Sequence, residues 1–142
     1  MSGAKDSEGK HRQLDEAKQS PSFQRGLKTR REVLGDKYVD NSLNNATDFS
    51  MAMQKLVTEY CWDEVWNRPG LSRRDRSMLN LGMISILNRQ HELKAHVRGA
   101  LNNGVKKEEI AEIFLQVAIY SGVPAAIDSF RTAQLVFDEM AE

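Results

Sequence analysis

The stretch Arg89-Gln-His-Glu-Leu-Lys-Ala-His-Val-Arg-Gly-Ala-Leu-Asn-Asn-Gly104 decides how the chain is read. It contains no proline, and it closes on an Asn-Asn-Gly that suits a helix stop. On a helix, Glu92 and His96 share one face, one turn apart. A carboxylate beside an imidazole is a minimal proton-transfer pair, because it orients the ring, fixes its tautomer and raises its basicity. The same spacing also describes a helix-supporting pair worth about 0.3 kcal/mol. Spacing alone does not separate the two readings.

Helical signals continue on both sides of this stretch. Ser72 is a predicted N-cap, with Asp75 three residues on to help the first turn. From Met78 to Leu87 apolar residues occur all round the wheel. That pattern predicts a helix buried on every side, either central in the domain or covered by a second subunit. Asn88 to Gln90 kinks or caps it. Downstream, Ile110, Ile113, Phe114, Val117 and Ala118 mark the buried stripe of another helix, which Ser121-Gly122-Val123-Pro124 ends. A last helix runs from about Pro124 to Met140, with Ile127, Phe130, Ala133, Phe137 and Met140 expected inward.

Upstream, Phe49, Met53, Leu56, Val57 and Tyr60 recur at helical spacing and are expected to face the core. That helix should stop by Asn67, before the breaker pair Pro69-Gly70. Arg30 to Gly35 reads as the end of a short helix, and Tyr38 to Asn45 as irregular chain. Residues 1–22 are polar. They are expected to form a mobile arm, or a short helix that needs a partner surface, and His11 and Arg12 within it are given no chemical role. Residues 23–142 form the expected domain. Strand-like alternation flanked by hairpin signals is absent, so the predicted fold is all-α, with about six helices joined by short loops.

Composition narrows the classes. A chain of 142 residues suffices for one domain with a real core. Its 20 basic residues balance 20 acidic ones, which argues against a nucleic-acid binder and favours self-association. Cys61 stands alone, so no intramolecular disulfide and no Cys-x-x-Cys pair is available. No apolar run reaches the ~18 residues of a membrane span, and none resembles a signal peptide. The expectation is a soluble, cytoplasmic protein without a membrane partner.

Two further sets of residues stand out. Glu59, Trp62 and Trp66 share one helical face, offset from the Phe49–Tyr60 stripe, which places an acid among indoles. Alternatively the tryptophans pack the domain and Glu59 reaches solvent. Arg73, Arg74 and Arg76 open the Ser72 helix at the positive end of its dipole. They call for carboxylate partners within the protein or for an anionic ligand. A metal site is not expected, because Glu92-x-x-x-His96 lacks the Glu-x-x-His spacing of a carboxylate-bridged centre and has no second copy. Neither a phosphate-binding glycine loop nor a Ser-His-Asp signature is present.

The string Trp66-Asn-Arg-Pro-Gly-Leu-Ser-Arg-Arg-Asp-Arg-Ser77, followed by Glu92-Leu-Lys-Ala-His96-Val-Arg-Gly-Ala-Leu-Asn-Asn-Gly104, resembles the carboxymuconolactone decarboxylase family. Arg30-Arg-Glu-Val-Leu-Gly-Asp-Lys-Tyr-Val-Asp40, Glu108-Glu-Ile-Ala-Glu112 and Ala118-Ile-Tyr-Ser-Gly-Val-Pro-Ala-Ala126 are similar to the same family in the same order. The resemblance covers roughly residues 23–140. It implies the helical bundle shared with alkylhydroperoxidase D-like proteins, assembled as a homo-oligomer, a trimer or hexamer. The redox branch carries two cysteines just before the matching histidine. Here Arg89 and Glu92 stand in those places, so thiol chemistry has no residues to use.

What the resemblance implies instead is a decarboxylase that needs no cofactor and acts on a small carboxylic acid. The family's named reaction converts 4-carboxymuconolactone to an enol-lactone in aromatic catabolism, on the β-ketoadipate route. In that reading His96 is the general acid, Glu92 orients it, and Glu59 is a possible second carrier. Arg76 and Arg73 hold carboxylates, while Trp62 or Trp66 walls the pocket. The competing readings are another lyase or isomerase on this fold, acting on a different aromatic or polyketide-derived acid, and a non-catalytic helical oligomer.

Overall fold

The computed structural model describes residues 14–142, so His11, Arg12 and most of the arm expected over residues 1–22 lie outside the described residues. The chain is all-α: seven α-helices and a π-helical segment occur among the described residues, where about six helices were expected, and no strand occurs. They gather into two compact units that divide between Arg68 and Pro69, at the predicted breaker.

The first unit begins with a single 3-10 turn, Glu16–Lys18, and continues into α1 (Pro21–Leu34), α2 (Asp36–Asn44) and α3 (Asp48–Leu56). Ser20 caps α1 by accepting the Phe23 N–H at 3.0 Å, and Pro21 pre-sets the first turn. Gly35 ends α1 at φ +91°, in the left-handed region that favours glycine, and α2 starts at once. Tyr38 to Asn44 is therefore helical rather than irregular. A nine-residue helix with only Val39 and Leu43 buried shows too little apolar period to be read from sequence.

Thr47 and Ser50 form a capping box on α3, which passes directly into the π-helical segment Val57–Val65. The widened turn is visible where the Trp66 N–H donates to the Cys61 carbonyl five residues back, at 2.9 Å. The expected core stripe is corrected. Phe49 is 97% exposed, and Met53, Leu56 and Tyr60 are exposed with it. Met51, Thr58, Trp62 and Trp66 face inward instead. The π segment lies tightly on α1, since a Cβ added at Gly26 would fall 1.9 Å from the Thr58 carbonyl oxygen.

The second unit is a four-helix cluster of α4 (Arg73–Ile86), α5 (Gln90–Asn102), α6 (Lys107–Ser121) and α7 (Val123–Ala141). Ser72 accepts the Asp75 N–H at 3.1 Å, as its sequence predicts. Asn88, at φ +54°, turns the chain between α4 and α5, and Gly122, at φ +119°, turns it between α6 and α7. Leu81, Leu93, Val97, Ile110, Phe114 and Val136 fill the core. Burying a side chain of this size contributes about 1.5–3 kcal/mol.

One expectation about these helices is narrowed and one corrected. The 78–87 run is not central in the single chain, where Leu81 is buried but Leu79, Met83, Ile86 and Leu87 are exposed, which leaves cover by a second subunit as the alternative of the two. On α7 the inward face is Ala126, Ser129, Thr132, Ala133 and Val136, while Ile127 and Met140 are exposed. Phe130 is 39% exposed and packs edge-on against Phe114. No helix among the described residues is long and apolar enough to cross a membrane.

Candidate active site

In the second unit, α5 carries both members of the pair that opened the sequence reading. Glu92 lies in its first turn and is exposed, and His96 follows one turn later, partly buried with its Nδ1 shielded from solvent. The helix is fixed from two sides. Glu139 of α7 accepts from Lys94 at 2.5 Å and from Arg98 at 2.6 Å. Gln90, at the start of α5, accepts from the Thr132 hydroxyl of α7. At the other end, the Asn103 amide donates to the Ser77 hydroxyl at 2.9 Å and to the Arg73 carbonyl at 3.4 Å on α4. His96 and Asn103 are seven residues apart and so share a face. The histidine therefore sits on the side of α5 that turns toward α4.

Burial pushes the His96 imidazole down to about 4, against the upward pull of the Glu92 carboxylate. The Glu92–His96 spacing alone foretells only the second effect. Desolvation is larger, because the cation loses water that one exposed carboxylate does not replace. At neutral pH His96 is thus an uncharged ring with one donor and one acceptor nitrogen.

The three arginines of α4 separate in role. Arg74 pairs with Glu109 of α6, which also accepts from the Lys106 backbone N–H at 2.8 Å. Arg74 is thereby a structural tie. Arg73 and Arg76 are partly buried, and the Arg76 Nε is shielded from solvent. The contact of Asn103 with Ser77 sets the first turn of α4 beside the end of α5, about 10 Å along the helix axis from His96. An extended arginine and a small dicarboxylate could span that separation. A groove of about 740 Å³ lies instead between α4 and α6, against Leu79, Met83, Ile86, Ile113, Val117 and Tyr120. Neither His96 nor Glu92 lines it.

Glu59, Trp62 and Trp66 belong to the first unit. The two indoles are buried and stack on each other, with ring centroids 4.8 Å apart and planes 22° from parallel. This is the packing alternative of the sequence reading. Glu59 is partly buried and accepts from the Ser20 hydroxyl at 3.0 Å. Beside it Asp63, absent from the sequence reading, is buried and well satisfied. It receives Arg25 Nε at 3.1 Å, Arg25 Nη2 at 3.0 Å, Ser22 at 2.9 Å and the Asn67 amide at 3.1 Å. Those donors, Arg25 foremost, hold its carboxyl below the usual range. Among the described residues, no group of three or more His, Cys, Asp or Glu side chains could hold a metal ion.

A sequence profile of the carboxymuconolactone decarboxylase family matches residues 52–135, more than half of the chain. Nitrosuccinic acid decarboxylase npaB of Metarhizium robertsii is 45% identical over 120 residues, covering 84% of this chain and 84% of its own. The 4-carboxymuconolactone decarboxylase of Acinetobacter baylyi is 40% identical over 118 residues, covering 83% of this chain and 88% of its own. An uncharacterized 15.0 kDa protein of Paracoccus denitrificans is 36% identical over 100 residues, or 64% of this chain. The all-α fold and these matches agree: this protein is an enzyme of the decarboxylase type and belongs to the carboxymuconolactone decarboxylase family.

Proposed function

We propose that the enzyme decarboxylates a small carboxylic acid whose leaving carboxylate sits next to an electron sink, with 4-carboxymuconolactone as the first candidate. One observation carries the reading. A shielded, uncharged His96 stands one turn from Glu92 on a chain that aligns over most of its length with two decarboxylases.

The chemistry suits such a residue. When the carbon–carbon bond to the carboxylate breaks, carbon dioxide leaves and the bond electrons move through the double bond into the lactone carbonyl. The resulting dienolate takes one proton at carbon and becomes the enol-lactone. Each turnover therefore consumes a proton. An uncharged His96 can take that proton up when an anionic substrate enters, because nearby negative charge favours the imidazolium. It then donates to carbon, while Glu92 orients the ring. Arg76 and Arg73 are the candidate carboxylate clamps, as their planar forks fit carboxylate oxygens. Glu59 is the second candidate carrier, and Trp62 and Trp66 support the segment that bears it. The proposal includes a homo-oligomer, trimeric or hexameric, working in the cytoplasm. The uncovered apolar faces of α3 and α4 support the assembly.

The 45% identity to the nitrosuccinic acid decarboxylase favours a second reading. With nitrosuccinic acid the bond electrons would enter the nitro group, and the nitronate would be protonated at carbon. The demand on His96 is the same. Carbon dioxide release from each acid, measured beside a His96→Ala control, tests the proposal. His96→Ala should lose at least ~100-fold in turnover with its helix content intact, the scale of losing a general acid. Release from neither acid would remove both substrate assignments, and near-wild-type turnover in the variant would remove His96.

A further inference from the structure

The first unit contains a charge that its described residues do not balance. Arg30 of α1 is only 6% exposed. Its Nη1 donates to Gln54 Oε1 at 2.9 Å and to Thr58 Oγ1 at 3.3 Å, both uncharged acceptors. Its Nε is buried and has no hydrogen-bond partner among the described residues. The other groups that act on it electrostatically are the Tyr38 phenol and the Cys61 thiol, neither of them a carboxylate.

Neighbouring arginines differ. Arg25 has Asp63, and Arg31 has both Glu16 and Asp40. Those two are the more exposed, so the arginine most in need of a countercharge is the one without it. A guanidinium taken out of water with no opposite charge is costly, and such a group persists where something compensates. Burial already pushes Arg30 below the ordinary arginine value. Its setting is also unusual, because Thr58 and Cys61 belong to the π-helical segment, and π-helical turns concentrate at functional positions.

We infer that the Arg30 guanidinium is a receptor for the carboxylate of a small organic acid. Gln54 and Thr58 hold Nη1 and so fix the plane of the group. The Nε–Nη2 edge remains, and that edge presents two parallel N–H donors matched to the two oxygens of a carboxylate. A carboxylate is also the group that the named substrates of both decarboxylase relatives carry. The site does not depend on His96, so its fate separates from that of the decarboxylation reading.

Succinate is the probe. At one hundred times its Kd, it should raise the Tm of the wild-type chain by about 5 °C or more. Uncharged succinamide should not. His96→Ala should keep the response, and Arg30→Met should lose at least four-fifths of it. If Arg30→Met does not fold, the wild-type protein still decides. Its Arg30 Nε–H resonance should move on titration with succinate and stay in place with succinamide. The inference is overturned by an absent Tm response in the wild type, by an equal response in Arg30→Met, or by a stationary Nε–H signal. An equal response to inorganic phosphate at matched ionic strength would also overturn it.

Discussion

Lowering the pH from 7 to 4 protonates His96 in the unfolded chain before it does so in the folded one. The unfolded imidazole titrates near 6.5, and burial holds the folded one at about 4. Between those values the unfolded state binds a proton that the folded state refuses. Stability therefore rises with pH across that window, is fully present above about 6.5, and is lost as the pH falls to about 4. The span from 6.5 to about 4, at 1.36 kcal/mol per pH unit, amounts to about 3 kcal/mol. For a chain of this size that corresponds to a fall in Tm of roughly 6–12 °C. The assay compares wild type with His96→Gln, which cannot titrate, by urea unfolding from pH 8 to pH 4. The difference between the two should be flat above pH 7, shrink by about 3 kcal/mol between 6.5 and 4, and flatten below. A constant difference across the range would refute the reasoning. So would a His96 ring resonance that titrates at pH 6 or above.

Four further outcomes follow from the geometry. Gly26→Ala places a Cβ 1.9 Å from a backbone oxygen that cannot swing aside, so α1 must move off the π segment. The urea midpoint should fall by the equivalent of about 3 kcal/mol, at the upper end of overpacking costs. Asp63→Ala leaves Arg25, Ser22 and Asn67 without their common acceptor and should cost about 2 kcal/mol in the same measurement. Arg74→Ala breaks a partly exposed pair with Glu109 and should change stability by less than about 1 kcal/mol with kcat unaltered. Arg76→Ala, by contrast, should raise KM at least ~10-fold, the scale of one charge-assisted hydrogen bond to a carboxylate. Unchanged steady-state kinetics in that variant would assign Arg76 to an ion pair.

Several parts of the fold were legible because local chemistry alone determines them. Ser72 caps α4, Gly35 and Gly122 end helices at positive φ, and the Asn-Asn-Gly at 102–104 closes α5. The errors arose where packing overrides pattern. The Phe49–Tyr60 stripe is helical but faces outward in the single chain, while Met51, Thr58 and Trp62 take the core. On α7, small residues such as Ala126, Ser129 and Ala133 form the buried face. Close helix packing selects them over the large apolar residues that pattern reading follows. Of the site, the Glu92–His96 pair was visible as spacing, but the direction in which the histidine is perturbed was not. Desolvation depends on what surrounds a ring, and no spacing rule carries that. Arg30 was hidden for a related reason, since within Lys28 to Glu32 it reads as one more charge on a solvated face.

The central claim is that His96 delivers a proton to carbon as carbon dioxide leaves. Its most direct test is a single-turnover decarboxylation of 4-carboxymuconolactone in deuterated water, run with wild type and with His96→Gln. The account predicts one deuterium on the ring carbon next to the lactone carbonyl, the conjugated terminus of the dienolate, a solvent isotope effect on the wild-type rate, and a rate at least ~100-fold lower in the variant. Carbon dioxide release at the wild-type rate from His96→Gln would contradict it.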